Sequence, residues 1–460
     1  MIFIKKRLYS KYVYSLFRKL YFIYFKFRGG FGGKYGRKYL KELNKTEYAS
    51  LDQLKDLQSQ KLQKLIHEVY ENVPYYRKIM DERNILPSDI KTPKDLSIFP
   101  LLDKETIRNN LYELLNNRYR YNLDELLVVK TGGSTGKPMK FYLGKHEYGV
   151  YIAHIERWKK YAGVKQFEKY MYIGMDENAK QKKDYEGIYT PFNFYLMSSF
   201  NLNDFLLNKY LKNIKKFKPN HLRGFASACY ILADYFKRNN LNYPLNAVLT
   251  SSDELYSFQR EVIEKVFSCE VFEHYGQNED VISATECEFH NGYHVNMESC
   301  TVEVLDENDE QLDEGNTGRL IGTQLENYSM PLIRYEIGDM GSITSKKCSC
   351  GREHIKIKSL SGRIDDVIIT PDGKKITSPM SVPMKYFYEE ILEVQLIQKK
   401  ADLIIVKIVP TDKYTLKTEK KFEECIKYQI GNKIQLKFEK VSKIPRTKGG
   451  KHRMVISELI

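Results

Sequence analysis

Hydrophobic positions change their spacing along this 460-residue chain, and each change predicts a different element. Leu51, Leu54, Leu57, Leu62, Leu65, Ile66 and Val69 recur mostly at three- and four-residue intervals, the period of an amphipathic helix. Asn72-Val73-Pro74-Tyr75-Tyr76 ends that helix, because the residue before a proline leaves the α region. From about 100 to 360, short apolar runs alternate with helical stretches. Leu126–Thr131, Lys169–Gly174, Ala247–Ser251 and Cys269–Tyr275 read as strands, whereas Lys145–Tyr161 and Ser257–Val266 read as helices. This alternation predicts an α/β layer architecture with helices flanking mixed sheets.

Past residue 360 the pattern changes. Val367–Thr370 and Lys375–Thr377 flank Asp372-Gly373, a two-residue hairpin signal. Val394–Gln398 and Leu403–Ile408 are strand-like, and a helix follows over Leu416–Tyr428. The expected organisation is therefore a basic arm (1–45), a large α/β domain (46–362) and a small α+β domain (363–460). No internal repeat interrupts this division.

Charge sets the arm apart. Residues 1–50 hold thirteen Lys or Arg and two acids, a balance of +11 out of the chain's +15. The remaining 410 residues carry 61 basic and 57 acidic side chains, so the body is nearly neutral. That excludes a protein whose body coats nucleic acid, and no nucleic-acid partner is expected. Residues 1–41 contain no acid and thirteen Phe or Tyr. Tyr12–Phe27 interleaves Arg18, Lys19 and Lys26 with Phe17, Leu20, Tyr21, Phe22 and Phe25. Such a segment can lie in the interface of an anionic membrane, dock on the body through its aromatic face, or bind a partner protein. Peripheral membrane contact is therefore one expectation for residues 1–40. Gly29-Gly30-Phe31-Gly32-Gly33 reads as a linker.

Seven cysteines, odd in number and widely spread, do not make a secreted disulfide framework. A reducing, cytoplasmic setting is expected. No uncharged apolar run reaches the ~18 residues of a transmembrane helix, and no cleavage site follows the first apolar stretch.

Thr131-Gly132-Gly133-Ser134-Thr135-Gly136-Lys137-Pro138 is the sharpest chemical signal. Glycines admit an anion to the backbone, hydroxyls donate to phosphate oxygens, and Lys137 adds charge. It is not a P-loop: only Ser134-Thr135 separate Gly133 from Gly136, and Pro138 follows the lysine. A second signal is Cys348-Ser349-Cys350, with Cys287, His290, His294 and Cys300 upstream. Cysteine and histidine can close a tetrahedral zinc site, although C-x-C is tighter than the usual spacing.

The glycine-rich loop resembles the phosphate loop of the adenylate-forming (AMP-binding) superfamily of ligases. Four further segments match in order. Glu273–Glu279 resembles its Tyr-Gly-x-x-Glu motif, and Arg334–Asp339 its Tyr-Arg-x-Gly-Asp motif. Ser361–Asp366 resembles the Gly-Arg-x-Asp-Asp hinge, and Pro445–Lys451 the C-terminal Pro-x-Thr-x-x-Gly-Lys. Val73-Pro74-Tyr75-Tyr76-Arg77 and Phe99-Pro100-Leu101-Leu102-Asp103-Lys104 resemble the phenylacetate–CoA ligase branch, with its CapK-like and coenzyme F390 synthetase-like members. The resemblance covers about 50–460 and not the arm.

The resemblance implies a large adenylate-forming domain with a small mobile domain behind it. It implies ATP and Mg²⁺ as cofactors, a carboxylic acid as substrate and coenzyme A as one acyl acceptor. Thr131, Gly133, Ser134, Thr135, Gly136 and Lys137 would hold phosphates. Tyr275, Gly276 and Gln277 would face adenine, and Glu279 would bind Mg²⁺. Asp339 would accept from the ribose hydroxyls, with Arg363 nearby. Ser252, Asp253 and Glu254 would line the adenine and acyl-phosphate pocket, or else form a helix N-cap. Lys451 would be the catalytic lysine and Asp365 the hinge. Phe192, Phe194, Tyr195, Phe200 and Phe225 would line an acyl pocket, or else pack in the core. Cys287, His294, Cys348 and Cys350 would be the zinc ligands, with a structural role. Two other activities stay open: adenylyl transfer that leaves AMP on the product, and a non-catalytic scaffold of a surface-glycan assembly.

Overall fold

A computed structural model describes residues 33–130, 139–165, 168–174, 186–189, 193–200, 202–363, 367–377, 379–447 and 451–459. The glycine-rich loop and Asp365 lie outside the described residues, as does the segment before Gly33.

The helices are α1 (Gly33–Thr46), α2 (Leu51–Asn72), α3 (Pro74–Glu82), α4 (Lys104–Asn109), α5 (Asn117–Arg120), α6 (Lys145–Tyr161), α7 (Asp204–Phe217), α8 (Ala226–Arg238), α9 (Ser257–Phe267), α10 (Ser381–Phe387) and α11 (Leu416–Ile430). The predicted break after α2 is present: Val73 is extended, and Pro74 then opens α3 at a position where its missing N–H costs nothing. Of the Gly29–Gly33 run only Gly33 is described, as the first residue of α1; the rest of the linker expectation lies outside the described residues.

Strands β1 (Leu127–Lys130) and β2 (Lys140–Leu143) form a hairpin around the glycine-rich loop. Among the described residues, the main sheet has twelve strands. Its central run is β3 (Tyr170–Gly174), β5 (Phe194–Ser198), β6 (His221–Phe225), β7 (Ala247–Ser251) and β8 (Val271–Gly276), all parallel, with β4 (Glu186–Tyr189) antiparallel at one edge. Beyond β8 the sheet turns antiparallel through β9 (Ser283–Glu286), β10 (Tyr293–Val295), β11 (Cys300–Leu305), β12 (Gly318–Gln324), β13 (Tyr335–Thr344) and β14 (Lys356–Arg363). The order across the sheet is β11-β12-β13-β14-β10-β9-β8-β7-β6-β3-β5-β4.

Side chains alternate across the parallel strands and sort the helices into layers. Ala247, Leu249 and Phe272 face α6 through Ile155 and Trp158. Met171, Ile173, Leu222, Val248 and Val271 face α7, α8 and α9 on the other side. The small domain begins with the predicted hairpin β15 (Val367–Ile369) and β16 (Lys375–Thr377), whose turn is longer than the two residues expected, since Thr370 N donates to Lys374 O across it. It continues with β17 (Ile391–Lys400), β18 (Leu403–Pro410), β19 (Gln435–Lys440) and β20 (Val455–Ser457), in the order β19-β18-β17-β20. It packs on the α8–α9 side of the main sheet, with Tyr388 stacked on Phe258 at 5.8 Å.

Candidate active site

The carboxyl ends of β6, β7 and β8 converge where an open parallel sheet places its ligands. At the end of β8, the Tyr275 hydroxyl donates to Asp339 Oδ2 at 2.8 Å. Asp339 sits on β13, in register with Arg363 of β14. Two residues from motifs 64 positions apart are thereby joined. Gly276 follows Tyr275, and a Cβ there would fall 2.9 Å from His274 Cε1. His274 is buried; burial, with His154 and Arg223 nearby, pushes its pKa down to about 3 and keeps the ring neutral.

Gln277 Oε1 accepts from the Ile282 N–H at 3.1 Å and shapes the loop that carries Glu279. Glu279 is buried, and its Oε1 accepts from the Tyr335 hydroxyl at 3.1 Å. Tyr335 belongs to the Asp339 motif, so this contact fastens the two segments a second time. The arginine of that segment has another task. Arg334 binds Glu303 and the carbonyl oxygens of Ser97 and Phe99, which tie residues 97–102 to the start of β13.

Of the two readings of Asp253, pocket residue or helix cap, the cap is visible, but on a different helix. Asp253 Oδ1 accepts from Ala226 N at 2.6 Å, and its Oδ2 accepts from Ser227 N at 3.2 Å and from Ser227 Oγ. The carboxylate therefore caps α8, a helix that begins 27 residues earlier, rather than the helix following it. Burial raises the Asp253 pKa; the Ser227 hydroxyl, the two N–H groups and the Lys451 charge pull it back. Ser252 has a left-handed backbone (φ 80°), which turns the chain so that Asp253 can reach α8. Glu254 is exposed beside it.

Lys451 lies in the small domain, and its charge is the least of the influences that lower the Asp253 pKa. The Lys451 N–H donates to Thr447 Oγ1 at 3.1 Å, and Thr447 N donates back to Lys451 O at 2.9 Å, closing the loop that presents the lysine. Motif reading did not count Lys104. Its Nζ stands 3.9 Å from where a Cβ on Gly338 would sit, one residue from Asp339. Its only signal was membership of the Phe99–Lys104 segment.

The acyl-pocket expectation resolves unevenly. Phe225 is buried in the core, and Tyr195 is buried with its hydroxyl on Glu186 at 2.7 Å. Phe194 stacks on Tyr170 at 5.3 Å. Phe192 lies outside the described residues.

Away from this site, Cys287, His294, Cys348 and Cys350 converge, with all four ligand atoms within 4.8 Å of one another. Cys287 Sγ to Cys348 Sγ is 3.7 Å, and Cys350 Sγ to His294 Nε2 is 3.4 Å. A tetrahedral zinc would need edges of about 3.8 Å between sulfurs and about 3.5 Å between sulfur and nitrogen. The donor set and its spacing fit. Cys300 and His290 are not part of the cluster: Cys300 turns to the Asn296 carbonyl and His290 to Glu286.

A family model, the CapK C-terminal domain, matches residues 368–458. The chain is 28% identical over 436 residues to Protein CapK of Staphylococcus aureus, covering 93% of this chain and 94% of that one. The phenylacetate-coenzyme A ligase of Thermus thermophilus is 22% identical over 443 residues, covering 88% of this chain and 96% of the relative. Among solved structures, a 2-hydroxyisobutyryl-CoA ligase in its postadenylation state superposes with a TM-score of 0.73 at 19% identity, covering 90% of this chain and 92% of that one. The fold is thus that of the adenylate-forming ligases, a large mixed α/β domain with a small C-terminal domain. Among the described residues, no helix is long and apolar enough to cross a membrane.

Proposed function

We propose that the protein activates a carboxylic acid with ATP and then transfers the acyl group to a thiol, coenzyme A. In the first step a carboxylate oxygen bonds to the α-phosphorus, and pyrophosphate leaves. In the second, the thiol loses its proton, its sulfur bonds to the acyl carbon, and AMP leaves. The observation that carries this reading is the Tyr275–Asp339 bond at the carboxyl ends of the parallel strands.

The roles follow from the chemistry. Negative charge grows on the phosphorus and on the leaving group, so the site needs fixed cations and N–H donors. Lys451 would bridge the carboxylate and the α-phosphate. Asp339 would accept from the ribose hydroxyls, and the Tyr275 hydroxyl holds it in position for that task. The loop 131–137 would hold the outer phosphates, and Asp365 would serve as the hinge. Mg²⁺, held by Glu279, would neutralise the phosphates, since a hard cation takes carboxylate oxygens. Zinc at Cys287, His294, Cys348 and Cys350 would be structural, because four protein ligands leave no open position. A place in surface-polysaccharide synthesis is part of the proposal, as the CapK-like resemblance of the sequence implies.

ATP–pyrophosphate exchange against a panel of aryl, fatty, amino and sugar acids tests the first step. Exchange dependent on one acid supports the reading and names the acid class. A product that retains AMP would favour adenylyl transfer instead, and failure to bind ATP would favour the scaffold. Metal analysis of the purified chain should find one zinc per molecule, lost in Cys348→Ser. A metal-free wild type sinks the zinc assignment.

A further inference from the structure

The outward face of α1 is a basic stripe. Lys34, Arg37, Lys38, Lys41 and Lys45 follow one another at i, i+3, i+4, i+7 and i+11, and all five are exposed. The opposite face, Gly36, Tyr39 and Leu43, is buried against the body. The helix's one acid, Glu42, turns away to pair with Lys61. Among the described residues, no ion pair holds Lys34, Lys38, Lys41 or Lys45. Spacings of four residues between like charges weaken a helix, so folding alone does not call for this stripe.

The helix is firmly held. Gly36 and Gly149 let the α1 and α6 backbones touch: a Cβ on Gly149 would fall 2.7 Å from Gly36 N. Arg157 Nη2 donates to the Leu43 carbonyl at 2.6 Å, fixing the last turn. Docked in this way, α1 cannot roll its apolar face into lipid. It presents a rigid row of cations. The 32 residues that lead into it carry eight Lys or Arg, eleven Phe or Tyr and no acid. The α1–α6 layer also lies on the opposite face of the main sheet from α8, α9 and the small domain.

We propose that the α1 stripe is a docking face for an anionic lipid surface, read through headgroup phosphates. Five ammonium or guanidinium groups along one line match a plane of negative headgroups, and each contributes where the surface potential is strong. Contact on this face leaves the small domain turned away from the membrane, with room to move.

The test uses the full chain and sedimentation with vesicles of phosphatidylglycerol and phosphatidylcholine, against phosphatidylcholine alone. Binding should require the anionic lipid and weaken with salt. Combined Lys34→Gln, Lys38→Gln, Lys41→Gln and Lys45→Gln should weaken it by several hundredfold, at roughly one factor of five per charge at the surface. Thermal unfolding of that variant should match or exceed the wild type, because the substitutions relieve repulsion and touch no buried group. Wild-type vesicle binding by the variant would overturn the proposal and assign lipid contact to residues 1–32 alone. Equal binding to neutral vesicles, or tighter binding to a DNA duplex with the same loss in the variant, would overturn it as well.

Discussion

The two faces of the main sheet are fastened by different chemistry. On the α6 face, buried ions lock the N-terminal helix in place. Arg157 binds Glu298 through both terminal nitrogens, at 2.7 and 3.0 Å, and His354 adds a third contact to that carboxylate at 3.2 Å. Glu47 is gripped by Arg352 and Lys160, and Lys61 by Glu42 and Glu326. On the α8–α9 face, the small domain is held by aromatic packing and by exposed charge. Tyr388 stacks on Phe258, the Tyr230 hydroxyl donates to Tyr388 O at 3.3 Å, and Lys237 meets Glu389 at the surface. Buried ion pairs are costly to break one partner at a time, whereas surface pairs contribute little. Parting the first face would strand buried charges, whereas parting these described contacts of the second would not.

Breaking the lock should have the largest effect. Arg157→Met strands Glu298 in the interior and should cost about 3–5 kcal/mol in urea unfolding; a cost under ~1 kcal/mol would remove the contrast between the faces. Burial opposes the charge of Glu298, but Arg157 and His354 hold its carboxyl well below the ordinary carboxylate range. A depressed folded value means that its stabilisation is complete above the unfolded value, about 4.3, and is lost as pH falls below it. The stability gap between wild type and Glu298→Gln should therefore narrow below about pH 4.

Lys451→Ala comes next. It should slow acid-dependent pyrophosphate exchange by about 10²–10³ and leave unfolding unchanged, as expected for the proposed charge that acts on the transition state from the small domain. Exchange at the wild-type rate would remove Lys451 from the mechanism. Tyr388→Ala should cost only about 1 kcal/mol, read as faster hydrogen exchange in α9 with the rest of the large domain unaffected. Unchanged protection in α9 would mean that the domain contact lies elsewhere. Lys237→Ala should be smallest, under about 1 kcal/mol.

Much of this architecture was legible in the residues. The α2 period, the Val73-Pro74 break, the Asp372-Gly373 hairpin and the strand–helix alternation predicted their elements, because each depends on contacts within a few residues. The cysteine–histidine set also converges as the resemblance implied, although its halves are over fifty residues apart. The contact that Asp253 makes was not legible for the opposite reason. Ser251–Glu254 has the local form of a helix cap, but the helix it caps begins at Ala226, and only the adjacency of β6 and β7 brings the two together.

What the amino-acid order determined by itself was the element sequence, the basic N-terminus, the motif residues and the chemistry those side chains can perform. Spacing and side-chain type are local, and they act before any distant contact forms. Tertiary structure alone decided that Tyr275 meets Asp339, that Lys104 approaches Gly338, and that Gly36 and Gly149 let two helices touch. It also decided which face of α1 is left for solvent. Those outcomes depend on packing between segments tens to hundreds of residues apart, where no local pattern constrains the geometry.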